Sequence, residues 1–153
     1  KKGKNDSRIH FLNNLIKKFK NINYDFYGFL NKEPIWGNDF YKALVNSKMG
    51  LNLSRGLPTK YYSSNRIASL MGNGLLTFID RKTQLNDIFS RNEIVLYDNI
   101  NDLSDKINFY KKNNKLRSSI AKNGRDKYFS LFDEKKITKY LVDVSFGKDR
   151  PLF

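Results

Sequence analysis

Two short runs constrain this chain more than anything else in it: Leu75-Leu76-Thr77-Phe78-Ile79 and Ile94-Val95-Leu96-Tyr97. Neither alternates polar with apolar residues. A strand without a polar face must be covered on both sides, which calls for layers above and below it. Segments of helical period surround the two runs. Ile9, Leu12, Leu15, Ile16 and Phe19 follow the capping residue Ser7 and predict a helix to about Lys20. Ile67, Leu70 and Met71 predict another from Ser64 to Met71, stopped by Gly72 and Gly74. After Tyr97 the pattern is helical throughout: Leu103, Ile107 and Tyr110, then Leu116 and Ile120, then Ile137, Tyr140, Leu141 and Val144. Asn123-Gly124 either breaks that region or is passed through at a cost of about 1 kcal/mol.

Two further strands are expected. Ile22, Tyr24 and Phe26 alternate with polar residues and end at Gly28, and Met49, Leu51 and Leu53 do the same and end at Ser54. Between them, Asn31 to Asn38 reads as a loop, and Asn38 as the cap of a short helix carrying Tyr41, Leu44 and Val45. Gln84 to Ser90 reads as one or two helical turns. Helix and strand therefore alternate along the chain. The expectation is an α/β fold, a Rossmann-like parallel sheet with helices on both faces, built as one domain over residues 1–153.

Composition limits the chemistry. The chain has no cysteine, which excludes disulfides, thiolate zinc sites and cysteine nucleophiles. It has a single histidine, His10, on the first helix, where an ordinary helix-surface role outweighs a catalytic one. No cluster of His, Asp and Glu has metal-ligand spacing. Lys and Arg number 29 against 15 acidic residues, a net charge of +14, so the surface attracts polyanions. A lysine-rich, asparagine-rich chain is also what a coding bias toward A and T produces. No apolar run approaches a membrane span. The chain opens at Lys1 without an initiating Met, as an excised domain would.

Ligands of such sheets bind beyond the carboxyl ends of the strands. The loop after Leu53 is the richest of these. It carries Ser54, Arg55, Lys60, Tyr61, Tyr62, Ser63, Ser64, Asn65 and Arg66 and runs into a helix N-terminus, where free N–H groups and the dipole favour an anion. Hydroxyls and a guanidinium there suit a diphosphate. The plainer account is that Ser63 and Ser64 cap the helix and Arg66 is solvated. Asp80 and Glu93 also lie at strand ends, where a turn-forming and an exposed role respectively are the plainer ones.

The segment Arg66-Ile67-Ala68-Ser69-Leu70-Met71-Gly72-Asn73-Gly74-Leu75-Leu76-Thr77 resembles the donor-binding signature of bacterial GT-B glycosyltransferases. That signature is Arg, two residues, Glu, four residues, Gly, then a hydrophobic strand ending in Thr. Ser7-Arg8, Tyr27-Gly28, Lys48 to Ser54, Glu93 to Tyr97, Asp102 to Ile107 and Ile120 to Gly124 follow the same template in order. The family's ribose-binding Glu falls on Ser69. In a second alignment, Tyr62-Ser63-Ser64-Asn65-Arg66-Ile67 is similar to the Tyr-x-Thr-Glu-Lys segment of bacterial fucosyltransferases. Asn65 then stands for the Glu, Arg66 for the phosphate-binding Lys, and Arg8 for the Arg of their opening motif.

The resemblance implies the C-terminal, nucleotide-sugar-binding half of a two-domain enzyme. The implied site residues are Arg8, Ser54, Lys60, Tyr62, Ser63, Ser64, Asn65, Arg66 and Ser69, with the catalytic base unassigned. No metal or cofactor is implied; the nucleotide-sugar is the substrate. The implied partner is an N-terminal acceptor-binding domain, and the implied acceptor a cell-surface glycan or a similar molecule. The implied location is cytoplasmic, with an anionic membrane surface as a further contact. Two rivals remain. A non-catalytic Rossmann-like scaffold fits Ser69 in place of Glu. A basic nucleic-acid-binding domain is disfavoured, because the aromatics fall mostly at core spacing.

Overall fold

A computed structural model of the chain describes residues 7–18, 22–54 and 56–148. Three strands form one sheet: β1 (Met49–Asn52), β2 (Leu76–Asp80) and β3 (Val95–Tyr97). All are parallel, in the order β1-β2-β3, with Leu51 opposite Phe78 and Ile79 opposite Leu96. Among the described residues six helices accompany them: α1 (Ser7–Lys18), α2 (Gly37–Asn46), α3 (Asn65–Gly72), α4 (Ile100–Lys112), α5 (Asn114–Leu131) and α6 (Glu134–Ser145). Two short 3₁₀ turns follow β2, Arg81–Thr83 and Leu85–Asp87, and only the second lies in the stretch from Gln84 to Ser90 expected to hold one or two helical turns. The α/β class and the parallel sheet are those the apolar runs predicted.

The sheet is covered on both faces. On one, Leu76, Phe78, Val95 and Tyr97 pack with Leu15 of α1 and with Leu103 and Ile107 of α4. On the other, Ile79 and Leu96 pack with Ile67 and Met71 of α3. The alternation of Phe78 and Ile79 between the two layers is the period of two of a strand. Because both layers are apolar, neither face of β2 could be polar. Four of its five residues are buried.

Gly124 shows why a glycine is kept inside α5. The helix passes through Asn123-Gly124 without a break. A Cβ at Gly124 would lie 2.3 Å from the Glu93 carbonyl oxygen, so the close approach of α5 to the chain before β3 requires its absence.

Three local expectations are corrected. Residues 22–26 form no strand, although their burial alternates, and among the described residues no backbone hydrogen bond involves residues 22–27. Their alternation does turn Ile22 and Tyr24 toward the core, so the pattern reported the buried face and not the pairing. Asn38 does not cap α2. That helix starts two residues earlier than such a cap would set it, at Gly37, with Trp36 at the cap position and no side-chain bond. The aromatics divide more evenly than their spacing suggested. Phe78, Phe89 and Tyr97 are buried, whereas Trp36, Tyr41, Phe109, Phe129 and Phe146 are exposed. Helical period identifies a stripe, but it does not say that another layer covers it.

Candidate functional site

β1 ends at Asn52, and the chain returns to the sheet at α3. Ser64 joins these two points. Its Oγ accepts the N–H of Arg66 at 3.3 Å, as an N-cap, and donates to Asn52 Oδ1 at 3.2 Å. The Ser64 carbonyl accepts the N–H of Ile67 at 2.9 Å. Two of the first N–H groups of α3 are therefore taken by Ser64 itself. The anion attraction expected from free N–H groups there falls instead to the Arg66 guanidinium and the helix dipole. Arg66 Nη2 donates to the carbonyl oxygen of Leu53, which holds the side chain against the end of β1.

Arg66 and Arg8, from different helices, line one cavity of about 1140 Å³. Its lining includes Lys48 to Leu51 and Leu53 of the β1 segment, and residues 22–29. Much of its lining is apolar: Leu12, Phe26, Met49, Leu51 and Phe78 among others. Lys48, Lys111 and Arg117 add further cations to its wall, and Asp25 is the one carboxylate among the described lining residues.

The other residues of the expected site lie off that wall. Ser54 is buried at 6% exposure, and its Oγ has no partner; the same holds for Asn52 Nδ2, at 1%. The Asn52 group sits beside the cap of α3, since Asn52 Oδ1 accepts from Ser64. Lys60 lies over the ring of Tyr61 at 4.8 Å, and the Tyr61 hydroxyl donates to Asp87 at 2.9 Å. Tyr62 is half-buried and Ser63 exposed. The Asn65 carbonyl accepts from Ser69 Oγ at 3.2 Å, so the hydroxyl that stands for the family's Glu turns back onto its own helix. Arg55 lies outside the described residues.

Several singled-out residues take the plainer role. His10 bonds only to Asn14, one turn on, at 3.0 Å. Asp80 caps the 3₁₀ turn through the N–H of Lys82 at 2.9 Å. Glu93 closes its own turn by accepting the N–H of Ser90 at 2.7 Å. Among the described residues no group of three or more His, Cys, Asp or Glu is placed to hold a metal ion.

Sequence reasoning missed Arg117. It is buried at 8% exposure, and its Nη1 donates to the Tyr110 carbonyl at 3.1 Å, near the C-terminal end of α4. The negative end of that helix stabilises the guanidinium. Nothing in the spacing of α5 separates such a residue from a solvated one. Asp102 and Lys106 were missed as a pair. Lys106 Nζ donates to Asp102 and to the Leu96 carbonyl, both at 2.7 Å. Burial opposes ionisation of Asp102, but Lys106, the Asp98 N–H and Arg81 outweigh it and hold the carboxyl below the usual range. Tyr24, on the cavity wall, has a buried hydroxyl without a partner, and burial pushes it up to about 12.

No helix among the described residues is long and apolar enough to cross a membrane. No curated protein and no solved structure matches the chain. A glycosyl transferase-like family model matches it from residue 7 to residue 143, spanning all three strands, the Ser64 cap and the cavity arginines Arg8, Arg66 and Arg117. With nearly its whole length accounted for in this way, the chain belongs to the glycosyl transferase-like family.

Proposed function

We propose that this chain is the donor-binding half of a GT-B glycosyltransferase, akin to bacterial enzymes of that class. It binds a nucleotide-sugar and presents the sugar to an acceptor held by a separate N-terminal domain. The observation that carries this reading is that Arg8 and Arg66, from two different helices, both line one cavity, Arg66 in the first turn of α3 behind the Ser64 cap.

In the transfer, the bond from the anomeric carbon to the donor's diphosphate oxygen breaks. A new bond forms to an acceptor hydroxyl, whose proton leaves. Negative charge grows on the departing diphosphate. Arg66 and Arg8 are the groups of this chain that neutralise it, and a guanidinium does so through paired, charge-assisted hydrogen bonds. That proton passes to a base carried by the N-terminal acceptor domain. The +14 charge raises the local concentration of any phosphorylated ligand. It also suits docking on an anionic bilayer at the cytoplasmic face.

Calorimetric titration tests the reading. Arg66→Ala is expected to weaken binding of a nucleoside diphosphate by about 1.5–3 kcal/mol and to leave binding of the free nucleoside nearly unchanged. Equal losses for both ligands would show that Arg66 only supports the pocket. A second reading, a non-catalytic scaffold, is favoured by the Ser69 hydroxyl bonding back to Asn65 where the family carries Glu. Absence of binding by either ligand to the wild-type chain would favour it.

A further inference from the structure

The floor of the cavity is a strand edge. Lys48 accepts the N–H of Leu76 at 3.2 Å, which sets the alternation of β1. In a parallel ladder the even-numbered residues Lys48, Gly50 and Asn52 then turn their main chain toward β2. Met49, Leu51 and Leu53 turn theirs away, into the cavity. Among the described residues, no backbone bond outside the sheet takes up Met49 or Leu51. The Leu53 carbonyl is taken, by the guanidinium of Arg66.

An apolar guest such as an acyl chain would leave those N–H and C=O groups unpaired. That is costly in a cavity with largely apolar walls. The occupant that satisfies them is another strand. A candidate lines the same cavity: residues 22–26, alternately half-buried and exposed, and without backbone hydrogen bonds of their own among the described residues. They connect to β1 through α2, the connection that joins parallel neighbours. The buried, unpartnered hydroxyl of Tyr24 marks packing that is unfinished in this arrangement.

We propose that residues 22–26 are the fourth strand of this sheet in an undocked state, that Arg66 holds them off by occupying the Leu53 carbonyl, and that an anion drawing Arg66 away lets them close onto β1. The anion-triggered part rests on the reading of Arg8 and Arg66 as a diphosphate site. Closure would fill the cavity along β1 and move the wall that follows α1, the helix carrying Arg8.

The test is hydrogen exchange read at single amides. In the ligand-free variant Arg66→Gln, the Met49 and Leu51 amides are expected to exchange about tenfold more slowly than in the wild type. Saturating pyrophosphate should give the wild type the same protection, with its binding followed separately by calorimetry. Tyr24→Pro and Asp25→Pro, each made in the Arg66→Gln background, control for what covers the edge. One of the two must remove an N–H that faces β1, and that one should restore fast exchange. Unchanged exchange in Arg66→Gln overturns the latch, and protection that survives both prolines overturns residues 22–26 as the occupant. Heat of pyrophosphate binding without protection overturns closure and leaves the anion site standing. Absence of heat overturns the anion trigger, and the ligand-free variant then decides closure by itself.

Discussion

The hydroxyl of Ser64 reaches the side-chain oxygen of Asn52 at 3.2 Å while accepting the N–H of Arg66. One side chain thus ties the last residue of β1 to the first turn of α3. The position of Arg66 depends on this tie, because Arg66 is the second residue of the helix that Ser64 caps.

Ser64→Ala removes the cap and leaves Asn52 Oδ1 unpaired inside the protein. The expected loss is about 1–3 kcal/mol of folding stability. Urea unfolding of both proteins measures it. A loss no larger than a surface substitution gives would mean that Asn52 finds another donor. Ser63→Ala, one residue earlier and exposed, serves as the neutral comparison.

Gly124→Ala sets two effects against each other. Helix propensity favours alanine by about 1 kcal/mol. The new methyl would sit 2.3 Å from the Glu93 carbonyl oxygen, which is backbone and has little freedom to yield. Such overpacking costs about 1–3 kcal/mol, so net destabilisation is expected. Asn123→Ala, on the exposed side of the same helix, should be neutral or stabilising. If thermal unfolding showed both variants gaining stability, the close approach of α5 to the chain before β3 would be wrong.

Lys106→Met removes the ammonium that overcomes the burial of Asp102. The folded-state value of Asp102 is depressed, so its contribution is fully present above the unfolded carboxylate range. It is lost as pH falls through the folded value. The variant is therefore expected to be less stable than the wild type at neutral pH. The difference should shrink as the solution is acidified past the ordinary aspartate range. A remainder should persist in acid, because the bond from Lys106 to the Leu96 carbonyl does not depend on Asp102. A difference independent of pH would assign the whole effect to that carbonyl bond.

The basic surface makes its own prediction. Lys17, Lys18, Lys111, Lys112 and Lys115 are exposed, at the ends of α1 and α4 and the start of α5. Lys20 lies outside the described residues. The protein should sediment with vesicles containing anionic lipid at low salt and be released as ionic strength rises. Equal sedimentation with neutral vesicles would rule out an electrostatic origin. Binding to a nucleic acid in the same salt range would show that the charge is not selective for lipid.

Much of the fold was legible before any coordinates. Leu75–Ile79 and Ile94–Tyr97 had no polar face, so a covered parallel sheet was the economical solution, and Ser64 was a capping residue in front of a helical stripe. These are local properties, carried by the period of apolar residues and by the side-chain chemistry of a helix end. What happens at an edge is not local. Ile22, Tyr24 and Phe26 alternate just as a paired strand does, because alternation reports which side chains face the core. It is silent on whether the main chain finds a neighbour. The burial of Arg117 against the end of α4 joins two successive helices, while the missing Cβ that α5 needs at Gly124 and the cavity that Arg8 and Arg66 both line involve residues far apart in sequence. Each depends on how two finished elements pack, which is why only the tertiary structure decided them.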